Sequence, residues 1–128
     1  MTTSEYSYIF VDRIHHEIHA RVSCKTSSKG KWHFAECPEL DLMDQGLSKI
    51  EAIENLKNMV GAVLSESVET ENLDGMLREL GFKISKMPVP NLEIFQMSNE
   101  PFRNMFPLPI ETRFAPRGFI SKSLLASV

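Results

Sequence analysis

Three kinds of side chain here could do chemistry: histidines near the start, two cysteines, and a run of carboxylates at mid-chain. His15 and His19 would suit one metal ion from a helix, where residues four apart share a face. The alternation that begins at Glu17 predicts a strand instead. Four residues of strand span ~13 Å, too far for one tetrahedral ion. His15, His16 and His19 are therefore expected on the surface of an entry strand and His33 on a hairpin, with no metal site. Cys24 and Cys37 are the only cysteines. In one hairpin register they face opposite ways; in the other they share a face, offset by about four residues. Either separation exceeds the ~7 Å between α-carbons that a disulfide tolerates. Two buried thiols in a reducing compartment are expected, with no Cys–His nucleophile.

The acids come next. Glu36, Glu39, Asp41 and Asp44 raise the idea of a two-metal nuclease, which needs converging carboxylates. Asp41 and Asp44 stand three apart on a short strand and so face opposite sides. Loop acids on a solvated rim are the expectation, placed to meet a basic protein partner. The chain has no Gly-rich phosphate loop, no G-x-S-x-G elbow and no H-E-x-x-H helix. Catalytic, cofactor and metal sets are expected to be empty. The residues speak for binding, not turnover.

The elements that must position these residues follow from patterning. Ile18, Ala20, Val22 and Cys24 alternate with His19, Arg21, Ser23 and Lys25, the period of a half-buried strand. Ser27-Ser28-Lys29-Gly30 supplies a turn, and Lys31 to Cys37 returns as a hairpin strand that Pro38 ends. Trp32 and Phe34 compete with Ala35 and Cys37 for its inner side. A short strand, Asp41 to Gln45, stops at Gly46. Ser48 and Glu51 form a capping box that opens a helix from about Lys49 to Ser67. Its apolar stripe is Ala52, Ile53, Leu56, Met59, Val60, Val63 and Leu64. Gly61 within it permits close packing. A second helix, about Asn72 to Leu80, ends at Gly81, where a left-handed cap is wanted and Phe82 can close it. Lys83 to Met87 is a further strand.

The chain has 128 residues, 42% hydrophobic and 24% charged, with net charge −3. That suffices for one core without disulfides. It is too poor in cations for strong general affinity to nucleic acid, though a local basic patch is compatible with it. No apolar stretch approaches the ~20 residues that cross a bilayer, and Met1 to Ser7 lacks the pattern of a secretory signal, so a cytoplasmic protein is expected. Three segments separate: a lead-in over 1–16, whose Tyr6 to Val11 could add an edge strand; the patterned part over 17–87; and an extension over 88–128 holding six of the seven prolines. That extension shows no sustained period, yet it is too apolar for a solvated linker and is expected to dock on its own domain, a second copy or a partner.

The run from Trp32 to Val60 resembles the HicB-like antitoxin family. The resemblance rests on Ala35-Glu36-Cys37-Pro38-Glu39-Leu40, Gln45-Gly46, Ser48, Glu51-Ala52 and Glu54-Asn55-Leu56, and later on Leu77-Arg78-Glu79-Leu80-Gly81-Phe82. It implies an α+β fold of order β-β-β-α-(α)-β, a three- to four-stranded antiparallel sheet with helices on one face. The family's fold is described as a partial ribonuclease H fold. It also implies homo-oligomers, and neutralisation of a small RNA-cleaving toxin, HicA, by covering its active surface. Cys37, Pro38, Gly46, Ser48, Glu51 and Gly81 would be structural; Glu36, Glu39, Asp41 and Asp44 would face the partner. Many members add a C-terminal helix-turn-helix or ribbon-helix-helix. Here the prolines of 88–128 leave no room for one, which puts promoter binding in doubt. The alternatives are a solitary oligomeric scaffold of the same fold and, less favoured, a divalent-metal nuclease.

Overall fold

The computed structural model describes residues 6–86, 91–98 and 105–115. The elements in order are β1 (Tyr6–Asp12), β2 (Glu17–Lys29), β3 (Trp32–Cys37), a 3-10 turn (Pro38–Leu40), β4 (Leu42–Gly46), α1 (Lys49–Glu69), α2 (Leu73–Glu79), β5 (Lys83–Lys86), β6 (Leu92–Ser98) and β7 (Phe106–Arg113). The protein is α+β. Its strands form one seven-stranded sheet in the order β4-β3-β2-β1-β6-β5, with β7 also paired to β2. The ladders are antiparallel.

The sheet is larger than the three or four strands expected, for two reasons. Tyr6–Asp12 is not an edge strand: β1 lies between β2 and β6. The extension over 88–128 is not irregular where it is described, because β6 and β7 are strands of the same sheet. Boundaries at 16 and 87 therefore cut through ladders. Residues 87–90, 99–104 and 116–128 of that extension lie outside the described ones.

The prolines of the extension are compatible with strands because position within a ladder decides what a proline costs. Pro107 lies opposite Ser23 and Pro109 opposite Arg21. In an antiparallel ladder alternate pairs exchange both hydrogen bonds or neither, so prolines two apart can occupy the non-bonded pairs without losing a bond to β2. They also strip donors from the far edge of β7, which discourages a further strand.

The core forms because the inner rows of the sheet are apolar across strands. Ile84, Phe95, Ile9, Ala20 and Ile110 are successive partners in one such row. All but the half-buried Ile84 are at most 4% exposed. Onto this face α1 lays Ala52, Leu56, Val60, Leu64 and Val68, and α2 adds Leu73 and Leu77. The expected stripe is present, with Ile53, Met59 and Val63 half-buried on its flanks. Trp32 and Phe34 lost the competition in β3: Ala35 and Cys37 are fully buried beneath α1, and the two rings face out.

The punctuation is mostly as patterned. Ser48 accepts from the Glu51 N–H at 3.0 Å, and the Glu51 carboxylate answers at the Leu47 N–H, one residue before the capping-box position. Gly81 has φ of +103°, its N–H reaches the Arg78 carbonyl, and buried Phe82 bonds back to Leu77. The hairpin turn sits later than expected. β2 runs through Lys29, which pairs with Trp32, leaving Gly30-Lys31 as the turn, with Gly30 at φ +63°.

Candidate functional site

The four acids do not converge. Glu36 is exposed on the outer face of β3, between Lys25 and Met43 in the register. Asp41 is exposed just before β4, in a left-handed conformation at φ +56°. Asp44 is half-buried, and one carboxylate oxygen takes the Gln45 N–H at 2.8 Å. Glu39 is buried, and this corrects the expectation that it lies on a solvated rim. Pro38 starts the 3-10 turn that folds Glu39 back over β2. There its carboxyl accepts from the Ser23 N–H at 2.7 Å, the Ser23 hydroxyl at 2.6 Å and the Ser7 hydroxyl, and the Cys37 thiol lies 3.6 Å away. Glu39 is thus a bracket between strands, withdrawn from any partner.

A surface does form where β4 turns into α1. Met43, Leu47 and Ile50 are 56%, 61% and 75% exposed, three of the most exposed large apolar side chains among the described residues. Glu36, Asp41 and Glu54 are also exposed, Glu36 directly across from Met43 on the face away from α1 and Glu54 on α1 itself. Single exposed apolar residues are ordinary, but a group of them rimmed by charge marks a contact surface. Although β4 ends the sheet, strand addition is blocked at Gln45. Its carbonyl accepts from the Asn55 amide at 2.9 Å and its N–H is taken by Asp44. A partner would therefore be read by side chains and not by a backbone ladder. Gly46 makes the tight β4–α1 junction: a Cβ there would lie 2.7 Å from the Ala52 nitrogen.

The remaining candidates resolve separately. Lys25 pairs with Glu36, so Cys24 and Cys37 are one step further along the same register and share the buried face. The expected separation was wrong because the strands carry no four-residue offset. Both are free thiols. Burial pushes each thiol's pKa up, and for Cys37 the neighbouring Glu39 adds to it. His15 closes the β1–β2 turn on Asp12, with Nδ1 2.8 Å from the carboxylate. That hydrogen bond raises the His15 pKa and lowers that of Asp12. His19 lies 3.2 Å from Glu17. His16, at φ +58°, meets Phe114 edge-on, with centroids 5.6 Å apart. Among the described residues no three His, Cys, Asp or Glu side chains are grouped as a metal site.

Sequence reasoning missed one feature, a cleft of about 400 Å³ with Phe95 and Phe114 among its walls and Arg13, His16, Glu69 and Glu71 at its rim. Its residues come from the β1–β2 turn, the end of α1, the link into α2 and its first turn, β6 with Asn91 before it, and the stretch after β7, so no local motif could announce it. The only signal is conformational: His16, Glu71 and Asn91, three non-glycine residues with positive φ, all line it. No family model, no curated protein and no solved structure matches the chain.

Proposed function

We propose that this protein is a HicB-like binding module, an antitoxin-type protein that neutralises a small RNA-cleaving toxin by covering its active surface. The observation that carries the reading is the rim at the β4–α1 junction. Met43, Leu47 and Ile50 offer apolar contact along the stretch from β4 into α1, and the exposed Glu36, Asp41 and Glu54 supply charge complementary to a basic, RNA-binding protein. Its support in the chain is the order of elements from Glu17 to Lys86, with a capped α1 laid across β2, β3 and β4. Glu39 drops out of the contact set for the reason given above.

A second reading is an oligomeric scaffold of the same fold with no toxin partner. Phe95, Leu108 and Ile110, part of the apolar content of the C-terminal extension, are at most 3% exposed inside the chain's own sheet. Among the described residues, the ground for self-association is therefore the rim and not these strands of the extension. Co-expression with a small basic protein, if one is encoded beside the gene, decides between them. A complex that silences RNA cleavage, and that Leu47→Asp with Ile50→Asp abolishes, is expected. A partner that stays fully active in the presence of this chain would count against the antitoxin role, and concentration-dependent dimers lost in the same variant would favour the scaffold.

A further inference from the structure

The outer face of the β2–β3 hairpin carries a different chemistry from the rim. Alternation along the register puts Lys25, Ser27 and Lys29 of β2 on that face, opposite Glu36, Phe34 and Trp32 of β3. It is the face away from α1, since Ala35 and Cys37 point inward. Lys31 follows at the tip, its ammonium 5.8 Å from the centroid of the Trp32 ring. Lys25, Lys29 and Lys31 are exposed, Trp32 is 38% exposed and Phe34 half-buried. Two aromatic side chains thus share one ribbon face with three ammonium groups: Lys31 and Lys29 flank Trp32, Ser27 stands across from Phe34, and Lys25 lies across from the single carboxylate, Glu36.

We propose that this ribbon face binds single-stranded nucleic acid. Unpaired bases stack on aromatic side chains while lysines neutralise the phosphates between them, and both parts are present on this one face. A duplex keeps its base faces stacked inside and gains only the electrostatic part. The Lys31–Trp32 contact is weak at an exposed site, so an arriving base displaces the ammonium from the ring and releases it to a phosphate. An anionic membrane surface fits less well. The leading residues of the hairpin are Gly30 and Lys31, and the rings lie behind them, whereas interfacial anchoring puts apolar side chains foremost. With a net charge of −3 on the whole chain, attraction is local to the ribbon and strongly screened by salt. The proposal does not depend on the toxin-binding reading: the two surfaces meet at Glu36, but the aromatic and lysine residues of the ribbon take no part in the other.

The test is fluorescence anisotropy of the full chain with a short labelled single strand, the matching duplex, and phosphatidylserine vesicles as a separate arm. Binding to the single strand is expected at low salt. The logarithm of affinity should fall with that of salt with a slope of about −2, at ~0.7 per phosphate contact for three lysines. Trp32→Ala should weaken binding roughly 10-fold. Lys29→Ala with Lys31→Ala should cut the slope to about −0.7. Lys83→Ala, exposed on β5 at the far end of the sheet, should change nothing. Unaltered thermal unfolding of the ribbon variants confirms that they fold. Affinity for duplex equal to that for single strand, indifference to Trp32→Ala, or capture by vesicles without oligonucleotide binding would each overturn the proposal.

Discussion

Glu39 reaches across to Ser23 and takes both its backbone N–H, at 2.7 Å, and its hydroxyl, at 2.6 Å. The pairing explains itself from the opposite side. Ser23 pairs with Pro107 in β7 at a position where the two backbones exchange no hydrogen bond, so the Ser23 amide points toward the other edge of β2. The β1–β2 ladder has its last pair at Tyr8 and Arg21, two residues short of it. A buried amide there needs an acceptor, and the 3-10 turn after β3 delivers one.

Removing that acceptor strands several buried donors at once. Glu39→Ala is expected to cost about 2–4 kcal/mol, and Glu39→Gln, which keeps an acceptor oxygen, distinctly less. Urea unfolding monitored by far-UV circular dichroism checks this. An alanine variant within about 0.5 kcal/mol of the parent would show that the group is not a bracket.

The two glycines flanking the start and middle of α1 should respond with opposite signs. At Gly46 a methyl group would meet the Ala52 backbone nitrogen at 2.7 Å, and backbone has nowhere to go. Gly46→Ala should destabilise by about 1–3 kcal/mol. At Gly61 the nearest atom to an added Cβ is the Thr112 Cβ at 3.7 Å, an ordinary contact. Gly61→Ala should therefore stabilise by up to ~1 kcal/mol through helix propensity. Paired melting curves read both.

Loss of the cap should be modest. Ser48 accepts one of the helix's first amides, and Ser48→Ala is expected to cost about 1 kcal/mol without altering the fold. A larger loss in the same denaturation experiment would mean that the Ser48 hydroxyl does more than cap.

The β1–β2 turn should titrate at both ends. The hydrogen bond between His15 and Asp12 raises the histidine pKa above 6.5 and lowers the carboxyl pKa below 3.8. The histidine part of that stabilisation is complete below 6.5 and is lost as pH rises through the folded-state value. The carboxylate part is complete above 3.8 and fades as pH falls through its own lowered value. NMR titration of the His15 ring should give a midpoint above 6.5, and Asp12→Asn should bring it down. An unmoved midpoint in that variant would remove Asp12 as the cause.

Both thiols should be silent in the native state. Burial raises the pKa of Cys24 and, more strongly, that of Cys37 above the ordinary thiol value, so neither supplies thiolate at neutral pH. A chromogenic disulfide reagent is expected to react with neither until denaturant is added, and then with both. Rapid native labelling of either residue would contradict the burial described for them.

Local rules settled much of this molecule. The Glu17 alternation, the Ser48 cap, the α1 stripe and the Gly81 terminator all depend on neighbours within a few residues. Each was therefore readable before any packing was known. The facing of β3 was not, because its apolar residues fit either side and only the arrival of α1 over Ala35 and Cys37 chose between them. The C-terminal strands were hidden for a related reason. Whether a proline breaks a strand depends on which edge its missing N–H would have faced, and that is a property of the partner strand β2. Glu39 is the sharpest case. By residue type it belongs on a rim; it is inside because the Ser23 amide points away from β7, past the last β1–β2 pair, and the 3-10 turn after β3 brings the carboxylate to it.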